Sequence, residues 1–165
     1  MRAYQTAPLP ETRIAPQAGS ELTAHLDEAL AAKLVELLRA RRHHFIARSG
    51  GSSYAVDVFL AHSIAAQGHA DALAARIVEL GAQPGFSPAL LASSPGGWFA
   101  PIWELHDMAH EDLEATRATE VVLKSLLIFV GASDPATRRL LLAILVDDKA
   151  RAKELALIAS VGGNR

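Results

Sequence analysis

The stretch "QGHADALAARIVELGAQP", residues 67–84, decides the fold. His69, Leu73 and Leu80 recur at helical steps inside an alanine-rich run, and Gly81 and Pro84 then stop it. His69 and Asp71 are both residue types that bind metals. At 100° per residue they lie about 200° apart, so one helix does not aim them at one site. The segment reads as the end of a long bundle helix.

Upstream, Val58, Phe59, His62, Ala66 and His69 continue the same stripe, so a helix spans about Tyr54 to Leu80. "RSGGSS" separates it from an earlier helix, about Ser20 to Arg48, patterned by Leu26, Leu30, Leu34, Leu37 and Leu38. Ser20 is the first N-cap candidate and Thr23 the second. Downstream, "AQPGFSPALLASSPGG" is a long connection with one short helical turn at "SPALLAS". A third helix is expected from about Trp98 to Val130, with Pro101 in its first turn. Gly131 stops it, Ser133 or Asp134 caps the next, and Pro135 opens a fourth helix to about Ser160. Two tight pairs joined by one long crossover give an all-α four-helix bundle. Residues 1–20, with Pro8, Pro10 and Pro16, read as a flexible arm, 21–160 as the bundle, and 161–165 as a frayed end.

The bulk composition agrees. The chain has 165 residues, half of them hydrophobic and 21% charged, which suits one globular domain. The net charge of −2 and the few basic residues of the arm argue against DNA binding. The absence of cysteine excludes disulfides and thiolate chemistry. No apolar run reaches the length of about 20 residues that a membrane span needs, and no signal-peptide core is visible, so a soluble cytoplasmic protein is expected.

The order "HHFIARSGG" then "HADALAARIVELGAQP", with "DPATRRLLLAILVDDKAR" near the end, resembles the Dps proteins of the ferritin-like superfamily over about residues 30–160. The resemblance implies a ferritin-like bundle with one crossover. It implies oxidation and storage of iron, a stress-response role, and assembly into a homo-oligomer, either a dimer or a Dps-like shell. It also implies two places to look for iron ligands. In the Dps-like register, between subunits, His44 and Asp71 match, while Val56, Leu60 and Ala75 stand where further ligands belong. In the within-bundle register, Glu36, His69, Asp107 and Asp148 are the candidates. There Ala66 replaces a Glu and Arg151 replaces a His. Hydrocarbons cannot ligate iron, and a guanidinium has no lone pair to give. Arg151 is therefore expected to join a buried salt-bridge network with Asp148, Glu36 or Asp107. The third-helix register stays open, with His106 or His110 as alternatives facing inward.

Two further features stand out. Trp98, Phe99 and Trp103 form the one aromatic cluster, read either as a plug on the bundle end or as a subunit contact. Val56 and Leu60 are read as an apolar subunit contact. No phosphate loop, nucleophile motif or dinucleotide fingerprint occurs. The function expected is a divergent Dps-like oligomer without standard ferroxidase activity. The alternative is an iron-oxidising protein with a rearranged di-iron site.

Overall fold

The computed structural model describes residues 18–50, 52–94 and 101–161. Most of the arm, Trp98, Phe99 and the terminal residues 162–165 lie outside the described residues. Five helices follow in order: α1 (Ala18–Gly50), α2 (Ser53–Glu79), α3 (Pro88–Ser93), α4 (Leu105–Val130) and α5 (Pro135–Val161). The four long ones have 33, 27, 26 and 27 residues, or about 40–50 Å each at 1.5 Å per residue.

Local chemistry sets the ends. The Ser52 hydroxyl accepts the Ala55 N–H at 3.3 Å and starts α2. Gly81, at φ 83°, ends it in a conformation that favours glycine, and the Ala82 N–H then returns to the Ile77 carbonyl at 3.1 Å. Asp134, rather than Ser133, caps α5: its carboxylate accepts the N–H groups of Ala136 and Thr137 at 3.1 and 3.0 Å. The expected turn at "SPALLAS" is α3, with Ser87 as cap and Pro88 in its first turn. Helix α4 starts at Leu105, later than the expected Trp98. Glu104 is extended (φ −81°, ψ 138°), and residues 101–103 before it are non-helical, with Ile102 packed on the apolar cluster beneath. Helix α1 begins at Ala18, two residues before the expected boundary.

Neighbouring pairs are α1 with α2, α4 with α5, α1 with α4, and α2 with α5. Helices α1 and α5 therefore occupy opposite corners, as do α2 and α4. The beginnings of α2 and α4 meet in one apolar cluster (Val58, Phe59, Met108, Leu113), and their ends meet in another (Leu73, Ile77, Leu123, Leu126). So α2 and α4 are parallel, as a long crossover requires. The crossover is tied to α1 by the Gly85 N–H, which donates to the Asp27 carboxylate at 2.7 Å. A Cβ on Gly85 would come within 3.1 Å of the Leu90 side chain and 3.3 Å of that carboxylate.

The core is apolar at both ends and polar in the middle. Lys33, Glu36, Arg39, His43, His62, Asp112, Thr116, Thr119 and Asp148 are all buried between the two apolar clusters. Along α1 the inward stripe runs Leu26, Leu30, Lys33, Glu36, Ala40, His43, Ala47. Leu38, expected on the apolar stripe, is 50% exposed. At 100° per residue Leu38 lies about 140° around the helix from Lys33, so the face that buries Lys33 leaves Leu38 outside.

Candidate functional site

The polar middle is built from all four long helices. Lys33 of α1 is fully buried, and its ammonium donates to Glu36 Oε2 at 2.9 Å and to Asp148 Oδ2 of α5 at 2.6 Å. An ammonium has three donors and no acceptor, so two carboxylates suit it. On the α2 side, His69 Nδ1 lies 3.5 Å from Asp148 Oδ1, and its Nε2 lies 3.2 Å from Asp147 Oδ2. On the other side, the His62 nitrogens lie 3.9 Å from Glu36 and 4.0 Å from Asp112, ionic contacts beyond hydrogen-bond length. His43 follows, with Nδ1 at 3.1 Å from Asp112 and Nε2 at 3.1 Å from Glu111, its ring edge-on to Phe59. Basic and acidic side chains thus alternate across the bundle from Asp147 to Glu111.

The two carboxylates around Lys33 are held apart in acidity. Burial and the nearby Glu36 charge push Asp148 up to about 6 against the pull of Lys33. Burial also acts to raise Glu36, but Lys33 and His62 overcome it and hold that group at about 2. Burial lowers Lys33, yet its two carboxylates leave it above the ordinary lysine value. His62 is raised in net, because Glu36 and Asp112 outweigh its burial. His69 is lowered by burial and by the Lys33 charge, against the pull of Asp147.

The expected site residues separate into those the fold brings together and those it does not. Glu36, His69 and Asp148 do converge, with Lys33 between them. Asp107 does not join them: it is exposed in the first turn of α4 and pairs with His106 at 3.2 Å. The inward acid of α4 is Asp112, with Glu111 beside it. His110 is exposed. Arg151 is not the buried cation of the network. It sits half-buried at the flank of α5, donates to Glu154 at 3.0 Å and approaches Asp147 at 3.9 Å. Lys33 has that role instead, because α1 turns it onto the core face.

In the Dps-like register, His44 is buried and makes a 3.0 Å hydrogen bond to the Val56 carbonyl, while Asp71 is exposed further along α2. The two do not meet within one chain. Val56 and Leu60 are half-buried on α2. Trp103 is 72% exposed and borders an open cleft with Tyr54 and Leu157 at the bundle end.

A di-iron centre does not fit these residues. Among the described residues, no three His, Asp or Glu side chains are arranged to hold a metal ion. The point between Glu36 and Asp148 is already filled by a covalently tethered cation. An ammonium there satisfies the carboxylates and repels a second cation.

The sequence profile of the ferritin-like domain matches residues 23–161. No curated protein matches the sequence at a significant level. Solved structures that share the fold include the following three. The dodecameric thioferritin of Bacteroides fragilis, a bacterioferritin-related protein, is 17% identical with a TM-score of 0.75, over 87% of this chain and 86% of that one. Rhodobacter capsulatus bacterioferritin, with a metal-free dinuclear site and haem iron, is 17% identical at 0.75, over 86% and 85%. A mutant of Mycobacterium smegmatis Dps1 is 14% identical at 0.75, over 88% and 99%. The all-α bundle with one crossover, and the profile that spans nearly all of it, place this chain in the ferritin-like family.

Proposed function

We propose that this chain is a divergent ferritin-like protein, most similar to the Dps type, that self-associates and acts as a structural or binding oligomer without ferroxidase turnover. The observation that carries this reading is the buried Lys33 ammonium, 2.6 Å from Asp148 and 2.9 Å from Glu36. Iron oxidation and storage, which family membership suggests, need oxygen and imidazole donors free to receive the ion. Here those donors are engaged by a fixed positive charge, and Ala66, Ala75 and Arg151 stand at other ligand positions. Self-association is supported by the dodecamer formed by the Bacteroides fragilis relative. No described helix is long and apolar enough to cross a membrane, which accords with action in the cytoplasm.

The test is to add Fe²⁺ with oxygen or peroxide to the purified protein and follow oxidation. The expected rate equals that of buffer. Acceleration that disappears on Asp148→Ala or His44→Ala would favour the iron-oxidising alternative. Light scattering should give a mass above the monomer, and a monomer would remove the assembly.

A further inference from the structure

We propose that Lys33 and Asp148 become joined by an amide bond, a cross-link that the chain makes by itself between α1 and α5, with Glu36 as the group that relays the proton. The proposal rests on the reading that Lys33, and not a metal, holds the centre of the core. Three observations carry it. The amine nitrogen and the carboxyl oxygen are 2.6 Å apart although 115 residues separate them in sequence. A second carboxylate, Glu36, lies 2.9 Å from the same nitrogen. All three side chains are buried, at 0%, 5% and 3% exposure for Lys33, Asp148 and Glu36.

Each observation answers a chemical requirement. Condensation of an amine with an acid in water is opposed by the stability of the separated ions. In a core, the ions are the costly state, and a neutral amide relieves the burial of two charges. Fixed proximity replaces a bimolecular encounter, with effective molarities of about 10⁵ M or more in well-oriented cases. The two carboxyls are also set up for different tasks. Asp148 Oδ2, at 2.6 Å, is the nearer carboxyl and the one on the facing helix, while Glu36 Oε2, at 2.9 Å on α1 itself, is a second acceptor for the protons of the same nitrogen.

The step balances without any co-reactant. One proton passes from the Lys33 ammonium to the Asp148 carboxylate, giving amine and acid. Nζ adds to Asp148 Cγ and the C–N bond forms. A second Nζ proton passes to Glu36 and from it to the departing hydroxyl. The C–O bond breaks and water leaves. Ammonium plus carboxylate becomes amide plus one water, with no change in oxidation state.

The experiment is the intact mass of the full purified chain, fresh and after prolonged incubation, followed by proteolysis. The expected wild type is lighter than its sequence mass by one water and releases a branched peptide joining the Lys33 and Asp148 segments. Lys33→Arg keeps the positive charge but should retain the full mass. Glu36→Gln should lower the linked fraction at equal age by about tenfold or more. A wild type that keeps its full mass overturns the proposal and leaves Lys33 as an ion pair, since the absence of ferroxidase turnover is read separately from iron oxidation. A water lost without a branched peptide, as from a succinimide at Asp148, also overturns it. An undiminished linked fraction in Glu36→Gln overturns the role of Glu36.

Discussion

The Lys33 ammonium of α1 and the Asp148 carboxylate of α5 meet at 2.6 Å across the diagonal of the bundle, and both are buried. The pair joins two helices at opposite corners of the bundle, so its removal should be felt by the whole fold. Replacing Lys33 by Met leaves Glu36 and Asp148 with no cation between them. That change is expected to cost about 3–5 kcal/mol by urea denaturation. The double change Lys33→Met with Asp148→Leu should cost less than the single one, because it also removes a stranded charge. A single-variant cost under about 1 kcal/mol would show that the pair is not buried as described.

Two histidines in the same network should respond to pH in opposite directions. His62 faces Glu36 and Lys33 on α1 and Asp112 on α4, and its pKa is raised from 6.5. Its stabilising contribution is complete below about pH 6.5 and is lost as pH rises through the folded value. His69 faces Lys33 and Glu36 on α1 and Asp147 and Asp148 on α5, and its pKa is lowered from 6.5. Its contribution is present above about pH 6.5 and is lost as pH falls through the folded value. The cost of His62→Gln should therefore be larger at about pH 5 than at about pH 9, and that of His69→Gln the reverse. Denaturation curves with the same trend for both variants would contradict this assignment.

The crossover should loosen when its hydrogen bond to α1 is cut. Asp27→Ala removes the acceptor of the Gly85 N–H, a bond to a charged group worth about 1.5–3 kcal/mol when well made. Hydrogen exchange at Gly85 should accelerate, while the amides of α4 and α5 change little. Unchanged protection at Gly85 would mean that the crossover is held by other contacts.

The start of α5 depends on Asp134. Burial acts to raise this carboxyl, but Thr137 and Arg76 hold it down at about 2. The Arg76 guanidinium reaches Asp134 at 2.7 Å and, through Nε, the Thr137 hydroxyl at 2.8 Å, so the cap also fastens α2 to α5. Asp134→Ala should cost about 1–2 kcal/mol at neutral pH. The contribution is present above pH 3.8 and fades as pH falls toward 2, so wild type and variant should converge in acid. A gap that stays constant down to that range would place the stabilisation elsewhere.

Helix order, the Gly81 and Gly131 stops, a cap at Ser133 or Asp134 and the crossover were readable in the sequence, because each rests on local chemistry that a few adjacent residues decide. The polar centre was readable only in part. Glu36, His69 and Asp148 lie on helical stripes that face inward. Lys33 was overlooked because a lysine three residues before a glutamate reads as a solvated ion pair. The available signal was its place three residues after Leu30 on the stripe from Leu26 to His43. Asp112 was missed for a related reason: Asp107, His106 and His110 crowd the start of α4 with more conspicuous side chains. Only the rotation of α4, fixed by Met108 and Leu113 packing on the apolar cluster, turns Asp112 inward. Arg151 misled because charge type alone does not say which flank of α5 a long side chain will follow.

The central claim is that Lys33 Nζ, as ammonium or as amide, occupies the place between Glu36 and Asp148. Its most direct test is anomalous diffraction at the iron edge from crystals grown with Fe²⁺. The expected map shows no iron within bonding distance of Glu36 or Asp148, and Lys33 density reaching both carboxylates. An iron peak bonded to those two carboxylates, with Lys33 turned away, would contradict it.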